Sequence, residues 1–364
     1  MKNIFFLILL FPFSLLLASP PANPYPDYIS FSTGTNGSRE EVCVAHASVI
    51  TDVSHQAVIE TAIQMLPPHY HTQEDLASEG RGNFAVGTIF FRGGTYEISD
   101  QILVPGRTSL FGSENTAYGA GTVFKVVAGG DLTGPSASSL YVFRTVRTDG
   151  SNFNGSFNQN WQNFWVGCNG HCRGLLVAGA QCSKVSRVRV NNALETGIYV
   201  AGARPLTLES VQTGTITATA SQKGIGIEVG AAALRLAIDN SSIGLSDIGV
   251  QISGDAGVLM RNVVFESINE ICVEKTQSRG YLNMVGFSVQ GGSSLTSNNG
   301  AALSGDQLLL RTVSCSRVTV SGAVRGSVGP KIWEHGDSRI VLVTPSKPSW
   351  NNPFDLTSVV PMTP

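Results

Sequence analysis

Four side chains at one repeated position carry the chemistry that this sequence could perform: Tyr199, Glu228, Gln251 and Glu274. Each is the third residue of a short apolar segment. The segments are Gly197-Ile198-Tyr199-Val200, Gly226-Ile227-Glu228-Val229, Gly249-Val250-Gln251-Ile252 and Cys272-Val273-Glu274-Lys275. On stacked parallel strands the third residues project outward in one row, with rungs about 4.8 Å apart. Glu228 and Glu274 then stand about 10 Å apart at the backbone. Inverting glycosidases hold their two carboxyl groups roughly 6.5–9.5 Å apart, so the pair is a candidate general acid and water-activating base. Tyr199 and Gln251 between and beside them are candidate substrate-binding residues. A solvated outer face is the competing reading, since exposed Glu is ordinary.

A second stack pairs Asp247 with Glu270, one rung apart. Two close carboxylates raise one pKa, which suits an acid/base pair, although Asp and Glu are also common in turns. Lys275 and Arg261 are the basic candidates near the same coils. Abstraction of a proton beside a carboxylate needs a base and a cation for the developing charge. Arg261 also has Glu266 as an expected side-chain partner. No metal site or cofactor is expected: Cys168-Asn169-Gly170-His171-Cys172 is a single cluster without a second Cys/His pair.

The elements that must position these residues announce themselves by their spacing. With an earlier copy at Gly174-Leu175-Leu176-Val177, the segments step by 23, 29, 23 and 23 residues. A period in this range marks a solenoid, in which each repeat buries its apolar face against its neighbours. The longer step is a regular one with six extra residues, expected in the polar stretch 215–223. A second strand set recurs at Val188-Arg189-Val190, Leu206-Thr207-Leu208, Leu234-Arg235-Leu236 and Val263-Val264-Phe265. A third strand is needed to close each coil, and the sequence places it less clearly. Upstream, Ser54 caps one helix whose Val58, Ile59, Ala62, Ile63 and Leu66 share a face.

The fold class is therefore all-β: a right-handed, single-stranded parallel β-helix with an N-terminal capping helix. Residues 1–18 read as a secretory signal, with Lys2, an apolar run and Ala18 at the cleavage point. Residues 19–44 read as an extended leader, 45–345 as the β-helix domain and 346–364 as a tail. Charged residues are only 14%, and the net charge of −2 excludes an electrostatic case for nucleic acid or an anionic membrane. Six cysteines in an exported chain make disulfides possible, and Cys168, Cys172 and Cys182 are expected to pin one loop. Asn36, Asn154 and Asn240 begin glycosylation sequons.

The segment from Ser54 to Val126 resembles the opening of the pectate-lyase-like superfamily. The carriers are the capping helix, then Gly87-Thr88-Ile89-Phe90-Phe91-Arg92-Gly93-Gly94-Thr95-Tyr96, then Ile102-Leu103-Val104-Pro105 and Leu110-Phe111-Gly112. The resemblance implies a parallel β-helix that handles carbohydrate, and it names no reaction. The polygalacturonase motifs N-T-D, D-D, G-H-G and R-I-K are missing from the chain. The expectation is a secreted protein that binds an extracellular polysaccharide and cleaves it as a glycoside hydrolase or a lyase. The alternative is a non-catalytic surface protein or adhesin that binds glycans.

Overall fold

A computed structural model of the chain describes residues 22–33, 39–66, 68–69, 84–85, 87–113, 121–146, 156–202, 204–230, 233–275, 280–290, 308–313, 317–322, 331–335 and 340–342. The signal and tail readings, Asn36, Asn154 and Cys315 lie outside them. The described chain winds into a right-handed parallel β-helix. Nine parallel strands among the described residues form the front sheet, from Ile102–Pro105 to Lys331–His335. The other long sheet wraps the back of the coil. Its strands bend where one residue takes a left-handed conformation: Asn163 (φ 62), Arg187 (φ 52), Ser210 (φ 53), Asn240 (φ 49) and Asn262 (φ 51). Asn tolerates that region better than most residues. The two halves of each bent strand supply the second and third sides of the rung, as in Leu206–Glu209 and Gln212–Thr213. In the next rung the second side is Leu236–Asp239, so Leu234 and Arg235 precede it as exposed residues.

Alternation along the front strands fills the interior. Phe143, Leu175, Ile198, Ile227, Val250, Val273 and Leu310 pair in register from rung to rung. All seven are fully buried. A second column sits against the next wall of the coil, at Gly174, Gly197, Gly226 and Gly249. A Cβ on Gly174 would lie 2.2 Å from the Gly197 carbonyl oxygen, and one on Gly249 would lie 2.6 Å from that of Cys272. Close approach of consecutive rungs therefore selects glycine here. Cys272 closes the column as a small buried residue, its thiol pushed up to about 12 by burial.

The helix His55–Gln64 caps the coil at its N-terminal end. Ser54 accepts a hydrogen bond from the Ala57 amide at 3.1 Å, and Val58, Ile59, Ala62 and Ile63 are buried. His55 fastens the cap. Its Nδ1 accepts from the Glu97 amide at 3.0 Å, so Nε2 donates to the Ala47 carbonyl at 3.0 Å. Strands begin ahead of the helix, within the segment read as a leader. Ile29–Thr33 and Arg39–Val44 form an antiparallel pair, and the second strand joins Gly87–Phe91 in parallel.

Candidate functional site

The outer face of the front sheet carries the row that the repeat spacing aligns. Tyr199 pairs with Glu228, Glu228 with Gln251, and Gln251 with Glu274, on the strands Thr196–Ala201, Ile225–Val229, Ile248–Ile252 and Ile271–Lys275. The row continues to Leu176 on one side and to Arg311 on the other. Glu228 accepts a hydrogen bond from the Thr196 hydroxyl at 2.9 Å. Glu274 accepts from the Gln251 amide at 2.8 Å and is 8% exposed, so it is not a solvated side chain.

A second group of residues stands beside Tyr199 and Glu228. Tyr141, on Tyr141–Val146, stacks on Tyr199 with ring centroids 6.3 Å apart and planes 18° apart. Arg173, at the start of Arg173–Ala178, donates to the Tyr141 hydroxyl at 3.2 Å and to Glu195 at 2.5 Å. Glu195 is buried and left-handed at φ 61, an uncommon conformation for its type. Its other oxygen accepts from the Thr219 hydroxyl at 2.6 Å. Gln222 adds an acceptor 3.3 Å from Arg173. Burial pushes the Tyr141 hydroxyl up to about 12, against the lowering effect of Arg173 and with Glu228 and Tyr199 adding to the rise. Tyr199 is raised by burial first and by Glu228 second. Tyr141, Arg173, Tyr199 and Glu228 thus form one electrostatic unit.

Thr219 and Gln222 belong to the extra residues of the long repeat step. Both back-sheet halves, the short strand Ile216–Thr217 and the front strands on either side keep their register, so the added length is confined to 218–224. The added loop spreads over the leading ends of the front strands. Asp247 and Glu270 are its anchors. One Asp247 oxygen accepts from the Gly224 amide at 2.9 Å and the other from Asn269 at 2.9 Å. Glu270 is paired with Lys223. Both carboxylates of this pair are engaged with the end of the loop, Asp247 with Gly224 and Glu270 with Lys223.

Two basic candidates are also corrected. Lys275 follows Val200, Val229 and Ile252 in an interior column, is 0% exposed, and donates to the Ala256 carbonyl at 3.4 Å. It does not face the outer row. Arg261 lies on the back sheet and makes a two-pronged bond to Asp239, at 2.8 and 2.5 Å, rather than to Glu266. Arg173 is the cation that sequence reasoning missed. The signal was an Arg and a Glu 22 residues apart, close to one repeat, just outside the repeated segments.

The pairing can be tested by stability. Arg173→Met leaves Glu195 buried without its charge partner and is expected to cost about 2 kcal/mol, discounted for the 21% exposure of the Arg173 side chain. Adding Glu195→Met should recover most of that loss in a double-mutant cycle read by urea unfolding. Additive costs would show that the two side chains do not act on each other. A second test uses base. With its folded pKa raised to about 12 from an ordinary 10.0, Tyr141 supplies stability below pH 10 that is lost as pH rises through 12. The expected size is about 2–3 kcal/mol. Tyr141→Phe should flatten that part of the stability curve, and an identical curve for both proteins would place the phenol in solvent.

No protein-family model and no curated protein matches the chain. Solved structures do resemble it. The Streptococcus pneumoniae surface protein and adhesin PfbA matches with TM-score 0.49 and 11% identity, over 83% of this chain and 86% of that one. DFA-IIIase from Arthrobacter chlorophenolicus, solved without its lid in complex with GF2, matches with TM-score 0.43 and 13% identity over 83% and 94%. ORF18 of Geobacillus virus E2 matches with TM-score 0.42 and 14% identity, over 82% of this chain and 61% of that one. These are likenesses of fold alone.

Proposed function

We propose that this chain is an exported carbohydrate-active protein that binds an extracellular polysaccharide along the front sheet and cleaves it. The observation that carries the reading is the outer row Tyr199, Glu228, Gln251 and Glu274, with Tyr141 and Arg173 beside it. Parallel rungs repeat their side chains along a straight line, which suits a polymer with its own repeat. Half-buried Tyr199 supplies a face for a sugar ring, and buried Tyr141 backs it by stacking. In a hydrolase, one of Glu228 and Glu274 protonates the leaving oxygen and the other activates water. In a lyase, Arg173 is the cation available to a uronate carboxylate, in place of Lys275 and Arg261.

A non-catalytic glycan-binding rod is the second reading. It is favoured by the side-chain hydrogen bonds that both carboxylates already accept within the sheet. One experiment separates the readings: reducing-sugar release and the ultraviolet absorbance of unsaturated uronate, followed over a panel of neutral and acidic polysaccharides. New reducing ends alone assign hydrolysis, and new ends with absorbance assign elimination. Binding without product assigns the rod. Neither binding nor product on any glycan overturns the proposal.

A further inference from the structure

The corner that delivers Arg173 to the front sheet contains two of the three cysteines expected to pin one loop. The back strand Asn160–Gly167 ends, the chain turns through Cys168-Asn169-Gly170-His171-Cys172, and Arg173 opens the next front strand. The turn is tight. The His171 amide donates to the Cys168 carbonyl at 3.1 Å, and Asn169 and Gly170 are left-handed at φ 53 and 75. The following rung holds it through Cys168 N to Asn191 O at 3.0 Å and Leu194 N to Cys172 O at 2.8 Å. Cys168 and Cys172 flank this five-residue turn and are both 0% exposed; burial first, and the neighbouring Cys172 thiol second, push the Cys168 thiol up. Cys182, the third of the group that the sequence places together, is exposed. In this structure all three are free thiols.

We propose that Cys168 and Cys172 form an intramolecular disulfide that staples this corner. The oxidant is a disulfide, such as oxidised glutathione. One protein thiol loses its proton and attacks the glutathione disulfide, releasing one glutathione thiolate. The second cysteine attacks the mixed disulfide and releases the other. Two protein thiols are oxidised, and one disulfide is reduced to two thiols. Burial holds the Cys168 thiol protonated and closed to solvent in the folded coil, so exchange belongs to folding, before the rung above is laid down. The staple fixes the point from which Arg173 leaves the corner, and it does so whether or not the front sheet is catalytic.

The test uses the full chain, refolded in a glutathione redox buffer, alkylated in denaturant and digested with trypsin. Cleavage after Arg173 puts Cys168 and Cys172 in one peptide and Cys182 in the next, which ends at Lys184. The expected result is that the first peptide is two hydrogens lighter and unalkylated, while Cys43, Cys182 and Cys272 are alkylated. Reduced native protein given the same buffer should cross-link at least tenfold more slowly than refolding protein. Cys182→Ser should leave the cross-linked peptide unchanged. Full alkylation of Cys168 and Cys172 at every redox ratio would overturn the assignment. So would a cross-link that joins the first peptide to the Cys182 peptide.

Discussion

Val250→Asp is expected to destabilise the coil by at least about 3 kcal/mol, because it buries a carboxylate with no partner. Val250 is fully buried, between Ile227 above and Val273 below in the interior column. Its neighbours on both sides are aliphatic, so nothing at that level can hydrogen-bond the charge. Val250→Ala removes volume without adding charge and should cost less, on the order of 1–2 kcal/mol. Each rung contacts only its neighbours, so the damage should be local at first, and unfolding should lose cooperativity before the rest of the coil melts. Urea unfolding followed by far-ultraviolet circular dichroism reads both effects. A Val250→Asp protein as stable as the wild type would mean that this position is not interior, and the register of the whole front sheet would fall with it.

Glu228→Gln and Glu274→Gln are each expected to lower kcat at least about 100-fold on whichever glycan the wild type cleaves. The substitution is nearly isosteric, and the Gln carbonyl can still accept from Thr196 at position 228 and from Gln251 at position 274. Melting temperature and glycan affinity should therefore stay close to wild type. Tyr199→Phe should cost far less, since the ring face and its stacking on Tyr141 survive loss of the hydroxyl. If an active wild type retained full turnover in both Gln variants, the row would be a binding surface and the chemistry would sit elsewhere.

The fold was legible because its determinants repeat. Gly-aliphatic segments at a 23-residue step fix both the stacking and the alternation, and Ile227, Val250 and Val273 stack in register and are buried as that spacing predicts. The third side of each rung was not told apart from the second: Val188-Arg189-Val190 and Val263-Val264-Phe265, grouped in sequence with Leu206-Thr207-Leu208, align with third-side Gln212–Thr213 and Ser242–Gly244, which follow a bend set by a single residue. For the site, alternation placed Glu228 and Glu274 on one face but could not foresee the bonds they accept. The same alternation, carried one residue past Glu274, already pointed Lys275 inward. Arg173 and Glu195 escaped notice because their partnership crosses between rungs at positions outside the repeated segments. Asp247 and Glu270 look like a carboxylate pair in one dimension, and only the path of the loop shows that adjacent Gly224 and Lys223 engage them.

The loop at 218–224 leaves the coil and returns to it without disturbing the rise of a single rung. That joint is a place where the chain can lengthen at no expense to the core, because the strands on either side are held by their own neighbours. On the proposed reading, specificity and stability are consequently written in different parts of this molecule. Mutational drift in the loop rewrites what meets Arg173 and Glu195 at the strand ends, and the interior columns need not change to accommodate it. A ligand-binding surface on such a scaffold evolves by splicing at the joints, whereas a surface carved into a globular core must renegotiate its packing with every residue gained.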